Sequence, residues 1–379
     1  MKYRTFVMEN VLDSIIDYRG KTPKKSENGI KTLSAKSVRD GYIDYSQCYY
    51  ISKEEYDRFM VRGFPKVGDV LMTTEAPLGV LARLDRDDIA LAQRLITLRG
   101  KENVLDTGYL YYYLRSPVGQ GKIKERQTGT TVTGIKQAEF RKIEIALPSI
   151  DIQRKVASLL GVLDEKILVN KKINDNLLQQ VDALFKARFL SLPNLPSGWK
   201  LMSLGDVSEM SAGGDKPKII SNQKTEECQY PIYSNGISNE GLYGFTTGYK
   251  ILSESVTVSA RGTIGFVCLR HTPYTPIVRL VTLVPHSNII SAKYLYLWLR
   301  SIQIHGTGTT QQQLTVPDFR KTEILIPPES IMKEFTDTIN PLFQQVWMNQ
   351  EENEKLANIR DTLLPRLMSG ELDVSNIVL

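Results

Sequence analysis

The chain repeats itself, and that constrains its fold more than any other feature. Tyr109-Leu-Tyr-Tyr-Tyr-Leu-Arg-Ser116 returns as Tyr294-Leu-Tyr-Leu-Trp-Leu-Arg-Ser301. Upstream, Arg94-Leu-Ile-Thr-Leu98 returns as Arg279-Leu-Val-Thr-Leu283 at the same separation. Downstream, Gly129-Thr-Thr131 matches Gly308-Thr-Thr310, and Phe140-Arg-Lys142 matches Phe319-Arg-Lys321; each copy then reaches a proline, Pro148 or Pro327. Near the starts, Pro23-Lys24 parallels Pro217-Lys218 and Ser34 parallels Ser234. The order is kept and the spacing drifts only by loop-sized amounts, so one supersecondary plan is used twice.

Within each copy, short β-branched runs bounded by Gly and Pro predict strands, among them Val67–Met72, Ser255–Ser259 and Arg141–Ala146. The Tyr/Leu-rich stretches at 107–116 and 292–301 have apolar residues at helical spacing and predict one amphipathic helix per copy. The copies part where loops are expected: residues 117–128 are replaced by the shorter Ile302-Gln-Ile-His-Gly-Thr307. A shared frame with different loops suits two readers of different sequences. It equally suits ordinary drift after duplication.

After Pro148 the period changes. Ile152, Val156, Leu159, Leu163, Ile167, Ile173, Leu177, Val181 and Leu184 recur at helical spacing, and neither Gly nor Pro occurs from 162 to 192. The second copy is followed by Phe335, Ile339, Leu342, Val346, Leu356, Leu363 and Leu367, with Asn349 and Asn353 in the seam. Such spacing predicts a coiled coil. Asn170, Asn349 and Asn353 are either register-setting polar contacts or solvent-facing residues at a drifting seam. The simplest packing sets the two helices antiparallel, each about 50 Å long at 1.5 Å per residue. They would then act as a ruler between two domains meeting a duplex one to two turns apart, each turn about 34–36 Å. A coiled coil that only homodimerises is the other reading. The expected architecture is α+β, with mainly β domains at 1–150 and 191–327 and helical regions at 151–190 and 328–379.

Charge follows this division. Residues 1–150 hold 25 basic against 19 acidic residues and 191–327 hold 12 against 9, whereas 328–370 hold 4 against 7. Two regions thus favour phosphate and one does not, although a net charge of +6 over 379 residues permits a polyanionic partner without demanding one. Cys48, Cys228 and Cys268 form no CxxC pair, so neither a disulfide framework nor a zinc site is expected. The chain shows no signal-peptide pattern and no apolar run of about 18 residues, which predicts a cytoplasmic, reduced protein.

Catalytic motifs are missing from the sequence. Gly20-Lys21-Thr22 has Ile15 where a phosphate-binding loop needs its first glycine. Ile326-Pro-Pro-Glu329 lacks the amide and aromatic residue that hold a target amine in a DNA methyltransferase, and Gly306-Thr-Gly308 sits in a polar loop. His271, His286 and His305 lack metal-ligand spacing, and Glu54-Glu55 and Asp87-Asp88 read as solvated turns.

Phosphate contacts need cations, hydroxyls and amides on exposed loops, and base reading needs donors and acceptors that reach a groove. The first copy offers Arg19, Lys21, Lys24, Lys36, Arg94, Lys122, Lys124, Arg126, Thr130 and Thr131. The second offers Lys216, Lys218, Ser234, Asn235, Arg261, Arg279, Thr309, Gln311 and Gln312. For any one of these, plain solvated surface is the competing reading.

Several segments resemble type I restriction-modification specificity subunits. They are Leu177-Leu-Gln-Gln-Val-Asp-Ala-Leu-Phe-Lys-Ala-Arg-Phe189, Leu195-Pro-Ser-Gly-Trp-Lys-Leu-Met-Ser-Leu-Gly-Asp-Val207, Tyr233-Ser-Asn-Gly236, Arg261-Gly-Thr-Ile-Gly265 and Arg360-Asp-Thr-Leu-Leu-Pro-Arg-Leu-Met-Ser-Gly-Glu-Leu372. The resemblance covers essentially the whole chain. It implies a non-catalytic, double-stranded-DNA-binding subunit with two target-recognition domains, one per half of a split target. Two methyltransferase subunits would be held through the helices, with Leu177, Phe185, Phe189, Leu363 and Leu367 as contact candidates, and restriction subunits would join them. It further implies that this chain binds no cofactor, with methyl donor, ATP and Mg on the partners. The first copy departs from the pattern: Thr74-Glu-Ala-Pro-Leu-Gly79 stands where the second has the Arg-Gly-Thr-Ile-Gly form. A DNA-recognition subunit of a methylation-only or other phage-defence complex fits the same residues, and a nuclease or methyltransferase with an unfamiliar site is the reading from another class.

Overall fold

The computed structural model describes residues 2–129, 133–192, 196–306 and 313–377. They form two compact units: unit 1 is Met1–Lys171 with Asn349–Leu379, and unit 2 is Lys172–Met348. Each unit holds one sequence copy and part of both long helices.

Unit 1 contains β1 (Arg4–Val7), β2 (Leu12–Asp17), β3 (Ile30–Leu33), β4 (Tyr49–Ile51), β5 (Val70–Thr74), β6 (Leu78–Arg83), β7 (Ala90–Leu91), β8 (Leu95–Gly100) and β9 (Glu144–Leu147). Its four-stranded antiparallel sheet has the order β2-β8-β5-β6. A three-stranded sheet, β4-β3-β7, includes a parallel β3/β7 pair, and β1 pairs with β9. Unit 2 contains β10 (Lys200–Ser203), β11 (Ser208–Ala212), β12 (Tyr230–Tyr233), β13 (Leu242–Thr246), β14 (Ser255–Val258), β15 (Val267–Arg270), β16 (Thr275–Pro276), β17 (Val281–Pro285) and β18 (Glu323–Ile326). The orders β11-β17-β14-β15, β13-β12-β16 and β10-β18 reproduce these three sheets of unit 1, including the parallel pair; unit 1 adds a two-stranded ribbon, Val38–Arg39 with Tyr42–Ile43. Register matches as well: Ile96 faces Met72 as Val281 faces Val258. The repeat seen in the sequence is therefore a repeat of topology.

Strand limits differ in detail from the sequence expectation. Val67 precedes β5, and Arg141 closes a short helix, Gln137–Arg141, before β9 begins at Glu144. That helix buries Phe140.

The repeated Tyr/Leu segments are helices, α1 (Thr107–Arg115) in unit 1 and, in unit 2, a counterpart at Ala292–Ser301. Asp106 and Ser291 cap them, accepting from the backbone N–H of Tyr109 and Tyr294. The expected amphipathic character does not hold for α1, because every residue from Gly108 to Leu114 is buried. The sheet covers one side, and α2 (Pro117–Glu125) and the long helix α3 (Ile150–Phe185) cover others. α2 is itself a correction, since residues 117–128 read as loop. Ser116 caps it and Pro117 occupies its first turn, where a missing N–H costs nothing.

α3 continues as a π turn over Lys186–Leu190. With α4 naming the unit 2 helix Ala292–Ser301, the last long helix is α5 (Glu329–Ser369). In unit 1, Asp164 pairs with Arg360 at 2.7 Å, Lys166 with Glu352 at 3.3 Å and Asn170 with Asn353 at 3.0 Å, so the segments run antiparallel. In unit 2, Asn174 reaches the Val346 carbonyl at 3.1 Å and Arg188 pairs with Glu334 at 2.6 Å, in the same sense. Asn170 and Asn349 are buried seam residues, as the register-setting reading requires. Ile173 and Leu184 are not in the seam: they are 41% and 42% exposed, and Asn174 and Phe185 take the inward positions. A buried amide is tolerated there because the Val346 carbonyl satisfies it.

Phe185, Phe189 and Leu367, expected to touch a partner, are each 3% exposed or less. Phe189 packs at right angles to Tyr294 and Phe335, with ring centroids 4.9 and 4.7 Å away. These side chains belong to the cores of their own units. Leu177 and Leu363 are half-buried. Among the described residues, no helix is long and apolar enough to cross a membrane.

Candidate nucleic-acid interface

Each unit has a junction where the end of a central strand, the following turn and the segment after the variable loop are tied by backbone bonds. In unit 1, the Ile135 N–H donates to the Thr74 carbonyl (2.9 Å) and the Thr74 N–H to the Arg94 carbonyl (3.0 Å). In unit 2, the Leu314 N–H donates to the Ala260 carbonyl (3.0 Å). Thr74 and Ala260 are thus equivalent, which aligns Glu75 with Arg261 and Gly79 with Gly265. Both glycines sit at positive φ, 78° and 83°, where a side chain would be strained. Arg94 and Arg279 also share a left-handed backbone, with φ 69° and 59°, uncommon for arginine.

The junctions gather several of the expected residues. In unit 1, Arg19 donates from Nη2 to the Ile135 carbonyl (2.9 Å), and Arg94 Nε lies 2.8 Å from Glu75 Oε1. Gln120 of α2 donates to the Gly79 carbonyl at 3.0 Å, which brings α2 and its Lys124 alongside. A cavity of about 390 Å³ lies between Ala76–Leu78 and the Gln120–Lys124 face of α2. In unit 2, Asn235 Oδ1 accepts from the Ala260 N–H and its Nδ2 donates to the Val278 carbonyl, both at 2.7 Å. Asn235 is therefore committed to the frame, a correction to its reading as a base contact. Arg261 Nη2 donates to Gln313 Oε1 (2.9 Å), and Arg279, the residue after Val278, is exposed. No ion pair involves Arg261 or Arg279 among the described residues.

Other expected residues lie elsewhere or are engaged. Lys36 is exposed on the turn Ala35–Ser37, and Ser234 follows β12 with its N–H bound to the Gly241 carbonyl. Lys216 donates to the Tyr243 hydroxyl at 2.5 Å and stacks on its ring. Lys122 pairs with Glu125 and Arg126 with Glu139, whereas Lys124 is exposed. Lys21, Lys24 and Lys218 are exposed. Thr130, Thr131, Thr309, Gln311 and Gln312 lie outside the described residues. Glu55 proves to be no solvated turn. It is 9% exposed, accepts from the Lys24 N–H (2.9 Å) and pairs with Arg58; those bonds hold its carboxyl below the usual range. Glu75 and Gln120 escaped the sequence reading; only aligning the two turns residue by residue points to the first. Among the described residues, no group of three or more His, Cys, Asp or Glu could hold a metal.

The family model for the type I restriction modification DNA specificity domain matches residues 11–179 and again 196–358, one match per repeat. The chain belongs to the type I restriction-modification specificity family. It is similar to the MjaIX type I restriction enzyme specificity subunit of Methanocaldococcus jannaschii, 25% identical over 86% of this chain and 82% of that protein. It is also similar to the HindI specificity subunit of Haemophilus influenzae, 21% identical over 81% and 87%. Its fold is that of the type I S subunit of M. genitalium, with a TM-score of 0.59 at 18% identity over 97% of this chain and 96% of that one. In family terms, the two junctions lie one in each specificity domain.

Proposed function

We propose that this chain is the DNA-reading, non-catalytic subunit of a type I restriction-modification complex. Each unit reads one half of a split target in double-stranded DNA. Two methyltransferase subunits bind through the helices and restriction subunits join them; methyl donor, ATP and Mg act on those partners. The observation that carries the reading is the junction present in both units on one backbone frame, but with different side chains and different neighbouring loops. A protein that bound DNA only through its phosphates would gain nothing from such divergence, because phosphate contacts carry no sequence information.

Arg19, Arg94, Lys124, Arg261 and Arg279 are the described candidates best placed to face DNA, with Lys21, Lys24 and Lys218 as peripheral phosphate contacts. Partner docking falls to outward helix residues: Val162, Val169 and Ile359 in unit 1 and Met348 in unit 2 are large, apolar and exposed. The test is methylome sequencing of the host with and without the gene. Loss of one bipartite methylated motif on deletion supports the reading and yields both half-sites. An unchanged methylome, with the gene expressed, overturns it in favour of a DNA-binding role outside methylation.

A further inference from the structure

At one matched position the two junctions carry opposite charges on the same scaffold. Position for position, unit 1 has Glu75 where unit 2 has Arg261, and both have an arginine in left-handed conformation just before β8 or β17, Arg94 or Arg279. In unit 1 the carboxylate and guanidinium neutralise each other at 2.8 Å; in unit 2 no carboxylate among the described residues pairs with either arginine. The Glu75–Arg94 pair is open to solvent, with side chains 30% and 55% exposed. Exposed pairs of this kind add little stability. Stability therefore does not account for a carboxylate at the edge of a basic unit. Glu75 is also fixed from both sides: its backbone bridges to Gly134, and the Thr74 N–H before it is bound to Arg94.

An unneutralised carboxylate would repel DNA, and one paired to Arg94 would not. Its remaining lone pairs are acceptors, and the cytosine N4 amine in the major groove is the donor a carboxylate reads, as a guanidinium reads guanine O6 and N7. Building on the DNA-reading function proposed above, we infer that Glu75, oriented by Arg94, selects a cytosine in the half-site of unit 1, and that Arg261 at the matching position selects a guanine in the half-site of unit 2. Backbone strain at Arg94 and Arg279 fits this, since such conformations gather where a side chain must be aimed.

The experiment co-expresses the chain with its own methyltransferase subunits in a host free of DNA methylation. The methylome is sequenced, and affinity of the purified complex is measured on oligonucleotides substituted at each half-site position. Glu75→Gln, which keeps the shape, should cost about tenfold or more in discrimination at one cytosine of one half-site and leave the other half-site intact. Arg261→Gln should do the same at one guanine of the other half-site. Arg94→Gln leaves Glu75 charged, unpaired and no longer oriented, so it should weaken binding to all sequences and also relax selection at that same cytosine. Should Glu75→Gln disturb assembly, Glu75→Ala is read in its place. A wild-type motif that survives Glu75→Gln unaltered, or a loss spread evenly over all sequences, overturns the inference alone. Absence of any bipartite motif with the wild-type chain overturns the DNA-reading function and this inference with it.

Discussion

Replacing Phe189 by alanine separates two roles for the same residue. The sequence places it on a helix said to bind partners, whereas the structure buries it in unit 2, 3% exposed. Its ring meets Phe335, Tyr294, Phe185 and Trp199 at centroid distances of 4.7, 4.9, 5.3 and 5.8 Å. Truncating a buried phenylalanine costs about 3–5 kcal/mol, from lost transfer energy and the cavity left behind. The four ring neighbours are themselves large and packed, so collapse into the void is limited and the upper half of that range applies. With a urea m-value of about 2–3 kcal/mol per molar, the midpoint should fall by roughly 1–2.5 M.

The chain supplies its own reporter. All three tryptophans, Trp199, Trp298 and Trp347, lie in unit 2, so tryptophan fluorescence follows that unit and far-UV circular dichroism follows both. The Phe189→Ala protein should show an early fluorescence transition, with a later part of the dichroism change left in place. An unshifted fluorescence midpoint, together with lost binding of the methyltransferase subunit, would refute the core assignment and restore the partner role.

Three further outcomes are expected. Asp164 accepts from the Tyr112 hydroxyl (2.8 Å) and pairs with Arg360 (2.7 Å) and Arg115 (3.5 Å). Because Arg115 keeps Asp40 and Arg360 keeps Asp361, Asp164→Ala should cost unit 1 only about 1–3 kcal/mol, seen by dichroism with the fluorescence transition unmoved. Burial pushes the Cys268 thiol from 9.0 up to about 11 and the Tyr111 phenol from 10.0 up to about 12. The unfolded chain then sheds these protons first, so stability is full below the unfolded value of 9.0 and declines as pH rises toward 11 and 12. Urea midpoints taken across that window should fall, and Cys268→Ala should flatten the fall seen by fluorescence. Lys124→Ala should lower DNA affinity equally for cognate and non-cognate duplexes and reduce the slope of log K against log salt by about 0.9, read by fluorescence anisotropy. A slope identical to wild type removes Lys124 from the interface.

What the sequence reveals here is whatever is periodic or stated twice. The duplicated Arg-Leu-x-Thr-Leu and Tyr-Leu-Tyr runs became matching strands and helices because β8 and β17 pack both faces, which restricts them to similar apolar residues. The long helices were legible from spacing alone. Inward direction was not: Ile173 looks like a seam residue and Asn174 does not, and only a specific carbonyl, that of Val346, reverses the preference. α2 was hidden because Pro117, Gly119 and Gly121 are loop residues by composition, although Ser116 is an able cap. Glu55 looked solvated because its partner, the Lys24 N–H, is far away in sequence. At Asn174 and Glu55 a contact distant in sequence overrides a local preference.

The same distinction explains how two copies can diverge in charge without losing their fold. The bonds that define the junction are backbone to backbone, Ile135 to Thr74 and Leu314 to Ala260, and none depends on the side chain at the next position. Exchanging glutamate for arginine at 75 or 261 therefore leaves the frame intact and changes what the edge presents to a groove. Asn235 shows the converse. Its side-chain amide replaces a backbone bond, donating to Val278 and accepting from Ala260, so it is tied to the frame and cannot vary to suit a base. Variation in reading should accordingly concentrate at Glu75 and Arg261 and avoid Asn235. Asn235→Ala should destabilise unit 2 by about 1–3 kcal/mol for the buried N–H it strands, an effect visible in tryptophan fluorescence before any DNA is added.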